Sequence, residues 1–212
     1  IEYAAKAVES SGTAIGICCK DGVVLGVEKL VESKMMEPGS NERIFNIARH
    51  AGMAVTGWKP DTRQLVNKGR AEAKEYLNFY GSPVPGHVLC DRLSSFVHTY
   101  TMYWYMRPFG ATILLGTFDE AKGYALWMIE PSGTSWGYQA VAVGKARQAA
   151  KTEIEKLKFD TITCREAVKE IARVIYSTHD FVKDKPFELE LSWICAESKN
   201  QHERVPEDIL KE

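Results

Sequence analysis

The order of apolar and polar residues near the start of the chain predicts a helix followed by a β-hairpin. Good helix formers occupy 2–9, with the apolar ones on one face. Small and β-branched residues over 13–19 are typical of a strand. The sequence Lys20-Asp21-Gly22 favours a tight turn, because Asp-Gly adopts positive φ at low cost, and 23–27 are the expected return strand.

The pattern further along predicts two short strands, 43–47 and 51–55, and then two long helices, 61–80 and 85–106. In the first of these helices, small or apolar residues recur every four positions, namely Leu65, Gly69, Ala73 and Leu77. Because a short loop joins the two helices, we expect them to lie antiparallel in one layer.

The second half of the chain repeats this alternation of strands with paired helices. The predicted strands are 111–117, 124–130, 136–143 and 187–193, the predicted helices are 145–157 and 163–180, and Pro206 opens a last short helix. The strict alternation over 187–193 has the period of a half-buried strand. The order of elements predicts an α+β fold with two helix pairs.

Composition and charge narrow the class of protein. The chain has 212 residues, 45% of them hydrophobic, as expected for one globular domain with a sizeable core. Its formal net charge is -1, and without a basic excess we expect no nucleic-acid or anionic-membrane partner. No apolar run approaches the ~20 residues that span a bilayer. No secretory signal is recognisable, and because Ile1 is not a methionine we expect further residues upstream of it.

Cysteine and histidine spacing indicates neither a disulfide framework nor a metal site. The cysteines, Cys18, Cys19, Cys90, Cys164 and Cys195, are odd in number and contain no C-x-x-C pair, which favours a reducing compartment. The neighbours Cys18 and Cys19 should point to opposite faces of a strand. The histidines are His50, His87, His98, His179 and His202. They are widely spaced without a zinc pattern, so we expect surface or partner-contact residues and neither metal nor cofactor.

The aromatic and methionine residues at the end of the second long helix permit two interpretations. They are Tyr100, Met102, Tyr103, Trp104, Tyr105 and Met106. Such residues are enriched at protein interfaces, but they also fill the core beneath a helix. The sequence leaves both interpretations open.

Several motifs together resemble the proteasome core-particle α-subunit family. They are Glu2-Tyr3-Ala4-Ala5 and Ala7-Val8, Gly57 with Asp61 and Arg63, Arg107-Pro108-Phe109-Gly110, Pro131-Ser132-Gly133, and the run 144–155. The resemblance covers essentially the whole chain. It implies a four-layer αββα sandwich of the N-terminal-nucleophile hydrolase type with an extra N-terminal helix. It also implies that 1–212 form a single domain, with that helix within 1–10 and the family's upstream gate tail outside this chain.

The resemblance further implies that this chain has no catalytic residue. Catalytic β subunits begin at a threonine whose free amine is the base for its own hydroxyl. Alignment on the Gly22 turn puts Gly12 at that position and Thr13 one place further on, and both are internal. Glu28 falls near the supporting carboxylate and Arg43 near the lysine, but a guanidinium stays protonated and is a poor base. Cleavage before Thr13, giving an autoprocessed threonine peptidase, is the alternative.

The function that the resemblance implies is that of a structural α subunit of the 20S proteasome. Its partners would be neighbouring α subunits in a heteroheptameric ring, the β ring, and activators or the regulatory particle. Its roles would be ring assembly, gating and activator docking in ubiquitin-dependent degradation, in cytoplasm and nucleus. Arg43 matches the basic residue of the pocket that receives activator C-termini, with an exposed strand-end cation as the simpler alternative. Tyr3 matches a tyrosine of the gate cluster. A monomeric binding module is a third hypothesis.

Overall fold

The computed structural model describes residues 1–37, 39–182 and 184–210. Its helices are α1 (Glu2–Glu9), α2 (Lys59–Tyr80), α3 (Gly86–Met102), α4 (Arg147–Ile154), α5 (Cys164–Thr178) and α6 (Glu207–Leu210). Its strands are β1 (Ala14–Cys19), β2 (Gly22–Leu30), β3 (Ile44–Ala48), β4 (Ala51–Gly57), β5 (Ala111–Asp119), β6 (Gly123–Ile129), β7 (Ser135–Tyr138), β8 (Ala140–Val143), β9 (Phe187–Cys195) and β10 (His202–Arg204). Within these ranges, no helix combines the length and the apolar character needed to cross a membrane.

Two antiparallel sheets form the centre of the fold. Sheet A has the strand order β10-β9-β2-β1-β8, and sheet B has the order β3-β4-β5-β6-β7. The residues buried between them are Ala14, Val23, Leu25, Val27, Ile44, Ala54, Leu114, Leu126, Met128 and Val143. These residues come from both sheets, so the sheets pack face to face.

A helix pair covers the outer face of each sheet. Over sheet A, a second buried cluster joins α4 and α5 to β1 and β2 and includes Ala150, Ile171, Ile175, Ile17 and Val24. Over sheet B, a third cluster joins α2 and α3 to β4 and β5 and includes Leu65, Leu89, Leu93, Met53 and Ile113. The predicted four-layer αββα sandwich is confirmed, with α1 as the extra N-terminal helix.

Helix α5 shows how local sequence sets one of these layers. A capping box starts it: the Thr163 hydroxyl accepts a hydrogen bond from the Glu166 N–H, and the Glu166 carboxylate accepts one from the Thr163 N–H. Ile171 then lies directly over Gly26 of β2. A Cβ built on Gly26 would come within 2.4 Å of Ile171 Cγ2, so the helix approaches the sheet this closely only because residue 26 is glycine.

The segment predicted as one strand over 136–143 is in fact two strands of different sheets. Tyr138 of β7 pairs with Leu126 in sheet B, whereas Ala140 of β8 pairs with Ile17 in sheet A. Gln139 joins them, so the extended chain passes from one sheet to the other at their common edge. An alternating pattern indicates extended backbone but not the partner strand, which is why this prediction was wrong.

Helix ends and one strand also differ from the prediction. Helix α3 ends at Met102, because Tyr103 is already extended, with φ -103 and ψ 133. Pro108 disfavours helical backbone at the residue before it. The short strand β10 was not predicted. Of the four residues that recur every four positions in α2, Leu65, Gly69 and Ala73 are buried and Leu77 is 48% exposed.

The two neighbouring cysteines of β1 do point to opposite faces, as predicted. Cys18 packs against the cluster between the sheets, and Cys19 belongs to the cluster beneath α4 and α5.

Candidate functional site

The α1–β1 joint, residues 11–13, is held in place by three other parts of the fold. The Ser11 carbonyl accepts a hydrogen bond from the Lys145 N–H at 3.0 Å, just before α4. The Gly12 carbonyl accepts one from the Thr56 hydroxyl of β4 at 2.7 Å. The Thr13 N–H donates to Glu28 Oε2 of β2 at 2.9 Å.

Gly12 and Thr13 stand where the resemblance puts the nucleophile of catalytic relatives. Thr13 is 1% exposed and its nitrogen is a peptide N–H that donates to Glu28. A Cβ built on Gly12 would lie 2.1 Å from the Glu28 carbonyl oxygen, so no side chain fits there without movement of the backbone. Thr13 precedes β1 by one residue, which agrees with its interpretation as a residue of the buried strand region.

Glu28 and His179 form a buried pair beside this joint. His179 Nδ1 lies 2.5 Å from Glu28 Oε1, and the two side chains are 1% and 6% exposed. The imidazole contacts the rings of Phe181 and Phe187, at centroid distances of 4.8 Å and 4.5 Å. Within the described part of the chain, His179 Nε2 has no hydrogen-bond partner.

Two of the histidines are therefore not the surface residues that the sequence predicted. His179 and His202 are 8% and 5% exposed. His179 follows α5 directly and its N–H donates to the Ile175 carbonyl, as expected for a helix C-cap. His179 stands between the polar residues Thr178 and Asp180, so no local pattern signals its burial, and the partner Glu28 lies too far along the chain to be recognised.

Arg43 lines a cleft of about 380 Å³ next to the α1–β1 joint. Its Nη1 donates to the Gly57 carbonyl at 2.8 Å, and its backbone N–H donates to Glu190 Oε2 at 2.9 Å. Burial lowers the pKa of the Arg43 guanidinium, and the charges of Glu190 and Glu32 oppose that change. Other residues that line the cleft are Ser10, Ser11, Gly12, Asn41, Thr56 and Lys59. The cleft thus offers a half-buried cation on the surface beside α1.

Tyr3 and Arg43 are not brought together. Tyr3 is 84% exposed on α1, with Lys6 Nζ 5.7 Å from the centre of its ring, and it is not among the residues that line the Arg43 cleft. Its ring is exposed to solvent.

Asp61 and Arg107, two residues of the resemblance, form an ion pair that fixes the start of α2. Arg107 Nη1 and Nη2 donate to the two Asp61 oxygens at 2.6 Å and 2.7 Å, and the Gly110 N–H donates at 2.9 Å. Burial favours the neutral acid, but the hydrogen bonds from Arg107 and Gly110 outweigh it and hold the pKa of Asp61 below its ordinary value. These residues therefore have a structural role.

The last residue of α3 and the three residues that follow it form an exposed, mainly aromatic segment, 102–105, called here the aromatic loop. Met102, Tyr103, Trp104 and Tyr105 are 58%, 46%, 94% and 62% exposed. Tyr100, by contrast, packs against the cluster beneath α2 and α3. Of the two interpretations left open by the sequence, the interface is favoured for 102–105, since exposed apolar residues in one patch mark interaction sites.

Within 1–37, 39–182 and 184–210, no group of three or more His, Cys, Asp or Glu side chains is placed to hold a metal ion. The described side chains offer a cation cleft, a buried carboxylate–imidazole pair and an aromatic loop. These are features suited to binding and positioning.

A four-layer αββα sandwich, with a buried carboxylate beside the start of its first strand, defines the class of N-terminal-nucleophile hydrolase-like proteins. The chain belongs to the proteasome subunit family, whose family model, "Proteasome subunit", matches residues 8–194. As a member of this family, it assembles with other proteasome subunits.

Several relatives that match along the whole of this chain are α-type subunits. It is 57% identical over 212 residues to proteasome subunit alpha type-3 of Spinacia oleracea, which covers 100% of this chain and 85% of that protein. The alpha type-3 subunit of Acanthamoeba castellanii is 58% identical over 212 residues, 100% of this chain and 84% of that protein. The probable alpha type-7 subunit of Saccharomyces cerevisiae is 45% identical over 216 residues, 100% and 75% respectively. The resemblance to α subunits is confirmed.

Proposed function

We propose that this chain is a non-catalytic structural subunit of the outer heteroheptameric ring of the 20S proteasome. There it contacts neighbouring α subunits and the β ring, gates the passage of substrate and docks activators or the regulatory particle. It serves ubiquitin-dependent protein degradation in cytoplasm and nucleus. The observation that carries the proposal is the hydrogen bond from the Thr13 peptide N–H to Glu28, one residue after the position that the resemblance gives to the nucleophile of catalytic relatives.

The chemistry of threonine proteolysis supports the non-catalytic role. That reaction needs a free amine to take the proton of the attacking hydroxyl. Here the nitrogen of Thr13 is an amide with negligible basicity, and Gly12 has no hydroxyl. Arg43 stands in for the lysine, but a guanidinium does not give up its proton at neutral pH. The site therefore lacks both the nucleophile and its base.

The autoprocessed threonine peptidase is tested by the mature N-terminus of the subunit in purified core particles. We expect α1 to remain attached and an electrophilic peptide probe to label only other subunits of the same particle. These labelled subunits are the internal control for the activity of the probe. A subunit that begins at Thr13 and carries the probe contradicts the non-catalytic role.

Arg43 is proposed as the residue that binds the C-terminal carboxylate of an activator. A cation at the mouth of a cleft, beside the joint that carries α1, supports this role, since a guanidinium forms paired hydrogen bonds with a carboxylate. In a reconstituted core, Arg43→Ala should reduce activator affinity about tenfold, as expected for loss of one charge-assisted interaction. Arg165→Ala is the matched control, because Arg165 is an exposed cation paired with Glu197, away from the cleft. Equal activator affinity of the two variants contradicts the pocket assignment.

Tyr3 is proposed as a member of the cluster that holds the gate open. Its exposed ring supports this role, since an aromatic side chain in water is available for a contact between subunits. We expect Tyr3→Ala to lower activator-stimulated peptide hydrolysis, and Tyr3→Phe to retain more of it because the ring remains. Wild-type stimulation of Tyr3→Ala cores contradicts the gate role.

The aromatic loop, 102–105, is proposed as a contact with another proteasome subunit. Trp104, at 94% exposed, is the member expected to lose most accessible area on assembly. In native mass spectra, Trp104→Ser should weaken incorporation of the subunit into rings, while the exposed Glu203→Ser should not. The monomeric binding module predicts instead a species of only 23.8 kDa in cell extract, which size exclusion detects.

A further inference from the structure

The Glu28–His179 pair has no part in activator docking or in the gate cluster as proposed above. We propose that His179 is a positioning residue: through Glu28 it fixes the α1–β1 joint, and so the direction in which α1 leaves the sandwich. The consequence for substrate passage rests on the proposed gating function, whereas the positioning itself does not.

The two oxygens of Glu28 have separate tasks. Oε2 accepts the Thr13 N–H at 2.9 Å, and Oε1 faces His179 Nδ1 at 2.5 Å. A carboxylate only accepts hydrogen bonds, so His179 Nδ1 is the donor to Oε1. The Glu28 carboxylate is therefore held at both oxygens, Oε2 by the α1–β1 joint and Oε1 by His179 at the end of α5.

Burial makes the hydrogen bonds of Glu28 at the α1–β1 joint stronger than the exposed ion pair that α1 forms. Thr13, Glu28 and His179 are 1%, 6% and 8% exposed. The ion pair between Glu9 of α1 and Arg147 of α4, at 2.8 Å, joins side chains that are 42% and 49% exposed. Water and salt screen exposed ion pairs so that they contribute little, whereas a buried hydrogen bond to a charged group contributes more.

The backbone links Glu28 to the joint a second time. The Glu28 N–H donates to the Thr13 carbonyl at 2.8 Å, so residue 28 binds both the N–H and the C=O of Thr13. Rotation of the Glu28 side chain would release the N–H and leave it buried without a partner. Unpaired buried N–H groups are costly, so the chain entering β1 has one favoured direction while His179 holds Glu28.

The surroundings of His179 keep it in place. Its own N–H caps α5 by donating to the Ile175 carbonyl, and Phe181 and Phe187 contact the ring. Glu28 lines the Arg43 cleft on one side and a second cleft, with Thr178 and His179, on the other. A Glu28 carboxylate without His179 has open space to turn into on either side, which explains why the position needs a rigid donor.

The test uses assembled core particles in which only this subunit carries a substitution. His179→Phe keeps a flat ring but removes the Nδ1–H donor, and His179→Asn restores a donor at the corresponding place. Thr178→Val is the matched control, because it removes hydroxyl bonds to α5 carbonyls without touching Glu28. Amide hydrogen exchange of 2–13 is the readout, with the thermal stability of the particle measured in parallel.

We expect exchange within 2–13 to rise about tenfold in His179→Phe and to return towards wild type in His179→Asn. Thr178→Val should leave it unchanged. Unaltered exchange in His179→Phe, or an equal rise throughout the subunit in all three variants, overturns the positioning role. If exchange rises locally while peptide hydrolysis by latent cores stays constant, the positioning role stands and the gating function fails.

Discussion

The stability of the subunit should fall in mild acid because His202 is buried as a neutral imidazole. Its Nε2 lies 2.9 Å from Ser192 Oγ, its Nδ1 contacts Asn46 Oδ1, and its ring covers Gly52. Burial lowers the pKa of His202 from 6.5 to about 4. The unfolded chain therefore takes up this proton first, and the stabilisation is present above pH ~6.5 and lost as the pH falls towards ~4.

The magnitude follows from the difference between the two states. At about 1.4 kcal/mol per pH unit, the lowered pKa of His202 corresponds to about 3 kcal/mol in all, of which about 2 kcal/mol is lost between pH ~7.5 and ~5. Burial favours the neutral form of Asp61 and of Glu72, but their cation partners outweigh it and lower both pKa values. The stability that these carboxylates contribute is therefore lost only at a pH below this range. Burial raises the pKa of Glu190, which has the opposite sign and favours the folded state in acid.

The measurement is urea unfolding of wild type and His202→Gln at several pH values. Gln keeps a polar atom near Ser192 but has no ionisable group, and every carboxylate is common to both proteins. We expect the wild type to lose about 2 kcal/mol more than the variant over this range. Parallel stability–pH curves for the two proteins refute the reasoning, since they show that His202 binds its proton equally in both states.

Three further predictions concern other parts of the fold. Asp61→Asn should cost about 2 kcal/mol or more in urea unfolding, because a buried carboxylate with three donors is replaced by a neutral amide; a loss within ~0.5 kcal/mol contradicts this. Gly57→Ala should cost more than Gly81→Ala in thermal unfolding. Residue 57 has φ +120 and a Cβ there lies 2.1 Å from a carbonyl oxygen, whereas residue 81 has φ +70 in open space, and equal costs would contradict the steric argument. Burial raises the pKa of Cys18 and of Cys90 to about 11, so iodoacetamide at neutral pH should modify them only after unfolding, and fast labelling of the native protein would show accessible thiolates.

Local signals were sufficient for most of the fold. Three signals depended only on residues close together in the chain: the Asp21-Gly22 turn, the four-residue repeat of α2 and the alternation in β9. The structure contains the turn, the helix and the strand that they predicted. The capping box at Thr163 fixes the start of α5 for the same reason. The stacking of the two sheets came from the resemblance, because periodicity does not show which strands face each other.

Long-range pairs could not be predicted. His179 and Glu28 are 151 positions apart, and His202 and Asn46 are 156 apart, so no local pattern marks these histidines as buried. The expected place of Arg43 beside a pocket also came from the resemblance and not from its neighbours. The aromatic loop remained ambiguous in sequence because exposure depends on where α3 ends.

The passage of the chain through Gln139 ties the two sheets together covalently at one edge, between β7 and β8. At the opposite edge, His202 of β10 bridges Ser192 in sheet A and Asn46 in sheet B. Neither sheet can therefore slide over or peel from the other without loss of a strand at one margin or of a polar bridge at the other. The sandwich should unfold in a single cooperative step. A newly synthesised subunit would therefore present its contact surface to its ring neighbours only once both sheets have folded.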